Sequence, residues 1–447
     1  MYRNFYRLMR FAVNYRRELR LMDYLREFER NQWLSAEELR QVSWQKLKQL
    51  LEHAYVNVPF YQQRFQEVGL TPADIQTEVD FLRLPLLTKE DINKHTDSLM
   101  ATNYDERQLK RDVTSGSTGV PLVLFRERDH DIIDVAAFTR YRRWFGCEPG
   151  DKIAWIWGRR GDISGVTLAQ RLKRERWLDG YRPTPDKLQQ YAEMLLKWKP
   201  TIIAGYGNVI YIFAEYLRSQ NITGIQPKVV ETTGMTIWPH ERETIAQVFQ
   251  CPVSDRYGSH EAGAMIAGEC PEHSKHIFSD FCYVEVLADE RPAEPGQMGE
   301  VIITPLYTFG MPLIRYRMAD IAILADKPCS CGRGLPVLDK LVGRTTSIFT
   351  LPSGKLLYGG IFRHIVLKDT LAIRQFRVHQ SDKNQIEVFL QPGKGFDETI
   401  VSQVKQRCLA VLEGEPVNLT ITVTDDIPIT AAGKFLVTTS DVPVSFN

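Results

Sequence analysis

Between Leu188 and Gly234 the chain alternates two periods, and that alternation limits its fold more than any other feature. "LQQYAEMLLKW" spaces apolar residues as a helix does, and "PTIIAGYG" is a short apolar run closed by glycine. "VIYIFAEYLRSQ" is helical again, and "PKVVETTG" is a second strand run. Strands joined through a helix cannot make a hairpin, so they lie parallel with the helix crossing one face of the sheet. "GDKIAWIWG" upstream reads as another short buried strand, while "CYVEVLA", "GEVIITPL" and "DIAILAD" read as later strands of a β-rich region. The expected class is α/β: a large N-terminal domain with mainly parallel sheets, a β-rich subdomain, and a small α+β domain after it.

A chain of 447 residues exceeds one compact core, so at least two domains are expected. The boundary falls at "LVGRTTS", where strands give way to turn residues, dividing the chain into 1–343 and 344–447. In the second part "QIEVFLQ" and "LTITVTD" flank a helix near Ile400 to Leu412. Residues 1–70 read as a helical lead-in broken at Pro59, Thr88 reads as an N-cap, and a helix is expected from Asp129 to Phe145. There is no internal repeat.

Composition serves mainly to exclude. With 43% hydrophobic and 25% charged residues, wholesale disorder is ruled out, and a net charge of +1 argues against a nucleic-acid-binding surface. The sequence has no 18-residue apolar run and no secretory leader, so the expected location is the cytoplasm with no transmembrane segment. The first twenty residues hold six arginines against one acid, with Tyr2, Phe5, Met9, Ala12 and Val13 near one helical face. Such a stripe packs on the body of the protein or rests on an anionic membrane surface, and packing is the commoner fate. A homodimer is compatible with the sequence.

"TSGSTGVPLVL", from Thr114 to Leu124, is bare and flexible before it turns apolar. Glycines and hydroxyls in succession expose backbone N–H groups to phosphate oxygens. The same run serves equally as a plain hairpin or linker. It is not the common NTPase loop, because no G-x-x-x-x-G-K-[ST] pattern is present.

Seven cysteines make an odd number for a disulfide framework. Cys147, Cys251, Cys282 and Cys408 stand alone and read as core residues. "ECPEHSKH" offers Cys270, His273 and His276, while "CSCGR" offers Cys329 and Cys331. Two ligands from each segment would close a tetrahedral site of the structural-zinc kind, with His273 and His276 competing for one position.

"TSGSTGVP", "DRYGSHEAG" at 255–263, "LIRYRMAD" at 313–320, "VGR" at 342–344 and "ITAAGKF" at 429–435 occur in the order of the adenylate-forming (acyl-activating) superfamily. "VPFYQQRF", "LPLLTKEDI", "GECPEHSKHI" and "MPLIRYR" followed by "CSCGRGLPVLDKLVGR" resemble its phenylacetate–CoA ligase branch. "AGYGNVIYIFAEYL" and "YRRWFGCEPGDK" are similar to CapK-like proteins of capsule and polysaccharide synthesis. The resemblance implies ATP- and magnesium-dependent joining of a carboxylic acid to AMP, then transfer to coenzyme A or to another acceptor such as an amine. It further implies that Ser115, Gly116, Ser117, Thr118 and Gly119 cradle phosphates and that Glu261 holds magnesium. Tyr257, with Gly258 beside it, would lie against adenine. Asp320 and Arg344 would meet the ribose, and Lys434 would bridge carboxylate and α-phosphate. Some relatives carry a structural zinc whose ligands align with Cys270, His276, Cys329 and Cys331.

Several positions depart from the relatives. Met318 and Ala319 replace Thr-Gly before Asp320, Met235 replaces an acid, "GRTTS" lacks the hinge acid, and Ile429 replaces arginine before Lys434. His260 stands where many relatives carry a small residue, and it either touches substrate or lies one layer behind. "GRRGD" at 158–162 reads as a solvated basic turn or an anion contact. The expected function is a carboxylate-activating ligase. The rival is a non-catalytic nucleotide-binding or scaffold relative in a polysaccharide system.

Overall fold

The computed structural model describes residue 6 and residues 15–113, 122–157, 167–180, 184–263, 265–366, 372–427, 437–444 and 446. Three helices lead in: α1 (Tyr15–Asn31), α2 (Ala36–Asn57) and α3 (Pro59–Glu67). Ser35 starts α2 with a capping box, since its hydroxyl accepts from the Glu38 amide while the Glu38 carboxylate accepts from the Ser35 amide. Pro59 opens α3, where its missing N–H costs nothing. On α1, Leu21, Leu25 and Phe28 face the core while Arg17 and Arg20 pair with Asp131 and Asp129, so this part of the lead-in packs on the body.

Thr88 caps α4 (Lys89–Lys94), as expected. A hairpin follows, β1 (Leu109–Val113) against β2 (Val123–Glu127), and then α5 (Asp131–Arg143). The latter is shorter at both ends than the Asp129–Phe145 expectation, because residues 128–130 form the turn out of β2. β3 (Ile153–Trp157), β4 (Glu175–Asp179), α6 (Pro185–Trp198), β5 (Ile202–Tyr206), α7 (Gly207–Ser219), β6 (Val229–Thr233), α8 (Pro239–Phe249) and β7 (Val253–Tyr257) complete the alternating part. Strands β4, β3, β5, β6 and β7 are parallel neighbours in that order. Ala154 and Ile156 face one helical layer, with Leu188, Phe213 and Phe249 in the same core, which leaves Trp155 and Trp157 on the other face. Gly205 is obligatory there, because a Cβ would lie 2.0 Å from the Ile156 carbonyl oxygen.

The β-rich region does not stand apart. Short strands β8 (Ala267–Glu269) and β9 (Lys275–Ile277) continue the sheet antiparallel into β10 (Cys282–Ala288), β11 (Arg291–Pro292), β12 (Met298–Pro305), β13 (Tyr316–Leu324) and β14 (Val337–Arg344). One 12-stranded sheet results, in the order β11-β10-β12-β13-β14-β9-β8-β7-β6-β5-β3-β4. It is mixed, and only its β4-to-β7 half is parallel.

After Arg344 come the hairpin β15 (Ile348–Thr350) and β16 (Leu356–Tyr358), then β17 (Ile373–Asp382), β18 (Gln385–Pro392), α9 (Glu398–Val411), β19 (Asn418–Val423) and β20 (Thr438–Ser440). The last four strands form a sheet in the order β19-β18-β17-β20. Their apolar residues gather with Phe349, Phe362, Val404 and Cys408 into a core of their own. Cys147, Cys282 and Cys408 are buried as expected, whereas Cys251 is only half-buried, beside the turn between α8 and β7. Among the described residues no helix is long and apolar enough to cross a membrane.

Candidate functional site

Ligands of open α/β sheets bind beyond the carboxyl ends of the parallel strands. Here those ends carry Trp157, Tyr206, Thr233 and Tyr257. The Trp157 and Tyr206 rings stack at 4.6 Å and 21°, and the Arg256 guanidinium lies 5.9 Å from Trp157 and 5.1 Å from Phe138. An aromatic wall therefore borders the crevice.

The charged residues enter from the antiparallel half. Asp320 on β13 is paired in register with Arg344 on β14, the guanidinium Nε 3.4 Å from its carboxylate. The Tyr257 hydroxyl donates to the same carboxylate at 2.7 Å. Burial raises the Asp320 pKa above the usual carboxylate range, while Arg344 and the Tyr257 hydrogen bond pull it back. Glu261, half-buried in the loop after β7, lies beside Tyr316 and Asp320, whose pKa values its charge raises. A carboxylate in such a loop offers the hard oxygen ligands that suit magnesium. Tyr257, Gly258, Glu261, Asp320 and Arg344 thus share one crevice.

Lys89 joins them without having been singled out in the sequence. It occupies the first position of α4, where burial lowers its pKa, Glu261 raises it and Arg344 lowers it further. Its signal was the "LPLLTKEDI" motif, which read as a helix start and as a mark of the ligase branch, with no role assigned to the lysine.

Val113 and Val123 are paired at the loop end of the β1–β2 hairpin and bound the glycine-rich segment. Arg126 on β2 donates through Nη2 to the His260 carbonyl at 2.5 Å and lies 3.3 Å from Asp112. The hairpin is thereby pinned to the loop that carries Glu261. The His260 side chain itself is exposed, and Met235 is 40% exposed. Ser115, Gly116, Ser117, Thr118, Gly119, Lys434, Ile429 and the "GRRGD" stretch lie outside the described residues.

A second cluster is formed by the turn after β8, by β9 and by the loop after β13. The ligand atoms of Cys270, His276, Cys329 and Cys331 all fall within 4.8 Å of one another. Cys270 and Cys329 sulfurs are 3.7 Å apart, and Cys331 Sγ is 3.3 Å from His276 Nε2. Thiolates held tetrahedrally about 2.3 Å from zinc sit roughly 3.8 Å from each other, so the spacing fits. His276 Nδ1 faces the Leu335 carbonyl at 3.2 Å, which leaves Nε2 for a metal. Burial drops the His276 pKa to about 4, so the ring is neutral. His273 takes no part: it sits in a turn at φ 59° and is absent from the cluster. Strand pairing turns His276 inward instead, opposite Val337.

No protein-family model matches the chain. It is 27% identical over 331 residues to the phenylacetate-coenzyme A ligase of Pseudomonas putida, covering 71% of this chain and 73% of that protein. It is 24% identical over 407 residues to protein CapK of Staphylococcus aureus, covering 87% and 86%. Among solved structures it resembles 2-hydroxyisobutyryl-CoA ligase in its postadenylation state in complex with R3-HIB-AMP. That match has a TM-score of 0.72 at 18% identity and spans 92% of this chain and 91% of the other, a likeness of fold.

Proposed function

We infer that this chain, which belongs to the adenylate-forming superfamily in its phenylacetate–CoA ligase branch, activates a carboxylic acid with ATP and passes the acyl group to an acceptor thiol. The observation that carries this reading is the meeting of Tyr257, Glu261, Asp320 and Arg344 in one crevice, drawn from three separate motifs. In the first step an acid oxygen attacks the α-phosphate, an acyl–AMP bond forms and pyrophosphate leaves. In the second the thiol sulfur attacks the acyl carbon, AMP leaves, and the thiol proton goes to solvent. Coenzyme A is the expected thiol, with an amine as the alternative acceptor.

The chain's residues divide the work. Ser115 to Gly119 would hold the β- and γ-phosphates through backbone N–H groups. Asp320 would accept from the ribose hydroxyls, and Arg344 would hold Asp320 in place. Glu261 would hold magnesium, which when bound neutralises charge on the phosphates. Lys434 would supply a positive charge where carboxylate and α-phosphate meet. Residues 344–447 would act as a lid turning about Gly343–Arg344. Gly343 supports that hinge, since its φ of 146° and the Tyr358 ring, 2.4 Å from where a Cβ would stand, exclude any side chain.

Two tests apply. Incubation with ATP, magnesium and an acid should yield acyl-AMP by mass spectrometry, and added coenzyme A should convert it to acyl-CoA. Bound nucleotide without either product would favour the scaffold reading.

Cys270, His276, Cys329 and Cys331 would hold a structural zinc, closed by four protein ligands and remote from the chemistry. The purified protein should carry one zinc per chain. Cys329→Ser should lose it and melt several degrees lower, with Cys251→Ser as the unaffected control. A metal-free protein of unchanged melting temperature would refute the assignment.

A further inference from the structure

Glu261 sits in a loop that is gripped on both sides, and both grips come from residues 126–134. On one side Arg126 holds the His260 carbonyl. On the other, Gly263 lies so close to α5 that a Cβ there would be 2.7 Å from Asp134 Oδ1 and 2.9 Å from His130 Nε2. Gly263 also has φ 82°, so the loop can come this near only without a side chain.

The groups behind Gly263 are otherwise poorly satisfied. His130 is 4% exposed, and neither ring nitrogen has a well-aligned hydrogen bond, the Tyr307 backbone being the polar group beside it. Its Nδ1 stands 4.0 Å from Glu127 and its Nε2 3.7 Å from Asp134, both beyond hydrogen-bond reach. Asp134 Oδ1, Glu127 Oε2 and Arg126 Nε lack partners. Each unpaired buried group costs about 1–3 kcal/mol, and several on one nine-residue stretch is more than a stable scaffold needs. Burial agrees with the geometry, raising the Asp134 carboxyl to about 8 and lowering His130 to about 4, so both are held neutral. Outside, Arg17 and Arg20 on α1 pair with Asp131 and Asp129, the neighbours of His130.

We propose that Arg126 and the His130–Asp134 pair are positioning residues that set the loop of Glu261 for magnesium-bound nucleotide. The proposal rests on the adenylating reading above. Arg126 reaches the backbone beside Glu261 while also pairing with Asp112, and His130 and Asp134 stand behind Gly263, so they act on Glu261 through the loop. The same stretch joins β2 to α5, and β2 is the strand that leaves the glycine-rich segment.

The test is the strengthening of ATP binding by magnesium, the ratio of calorimetric Kd values without and with the metal, in wild type, Arg126→Ala, Gly263→Ala, Glu261→Gln and the doubles. Arg126→Ala and Gly263→Ala should each cut that ratio roughly 10-fold or more, with ATP binding in chelator unchanged. In the Glu261→Gln background neither should have any further effect, because the loop then has no carboxylate to aim. Gly263→Ala combined with Asp134→Gly should recover part of the loss. Equal losses with and without magnesium, or full additivity with Glu261→Gln, would overturn the proposal and leave these residues a structural role. The readout needs no turnover, so a protein that binds Mg-ATP as described but forms no acyl-AMP would sink the catalytic reading alone.

Discussion

Replacing Asp280 with alanine should destabilise the protein by about 3–5 kcal/mol, the usual cost of removing one partner of a buried ion pair. Asp280 and Arg140 are both fully buried, 2.8 Å apart. The guanidinium lies between Phe28 and Phe278, 5.0 and 4.3 Å from the ring centres, so water cannot replace the lost carboxylate. Asn31 donates to the same carboxylate at 3.3 Å, and Arg140 keeps one bond to the Phe28 carbonyl. Arg140 Nε and Nη2 already lack partners, so the variant would hold an almost unpaired buried cation. The urea midpoint should fall with the slope unchanged. Replacing both residues, Arg140→Met with Asp280→Ala, should cost less than Asp280→Ala alone. A cost under about 1 kcal/mol for the single variant would mean that solvent reaches the pair.

Lys434→Ala should lower the rate of acyl-AMP formation by about 10²–10³, the usual effect of removing one preorganised group from a developing charge. Transfer of the acyl group from supplied acyl-AMP to coenzyme A should fall far less, since the α-phosphate is then leaving and not under attack. Rapid-quench measurement of the two half-reactions separates these effects. Equal loss in both would assign Lys434 to nucleotide binding, and no loss would remove it from the mechanism.

The sequence made the βαβ half legible because its helices and strands are long enough to show their periods. The joining strands β8 and β9 are three residues each, too short for any period, which is why the single mixed sheet was not foreseen. Cys270, Cys329 and Cys331 were legible because thiols in polar turns are uncommon. His276 rather than His273 came from the family resemblance, and the pairing of β9 gives the physical reason, since His276 lies on that strand and His273 in the turn before it. Tyr257, Glu261, Asp320 and Arg344 came from the family resemblance, and the structure gathers them. Arg126, His130 and Asp134 belong to no motif. Their contact with the Glu261 loop joins segments more than a hundred residues apart, which local pattern cannot reveal.

The central claim is adenylation, and the most direct measurement is the fate of ATP with magnesium across a panel of aryl, fatty and hydroxy acids. The account predicts pyrophosphate released only when one class of acid is present, matched by an equal amount of acyl-AMP that yields AMP once coenzyme A is added. ADP with inorganic phosphate, or ATP that binds and survives every acid, would contradict it.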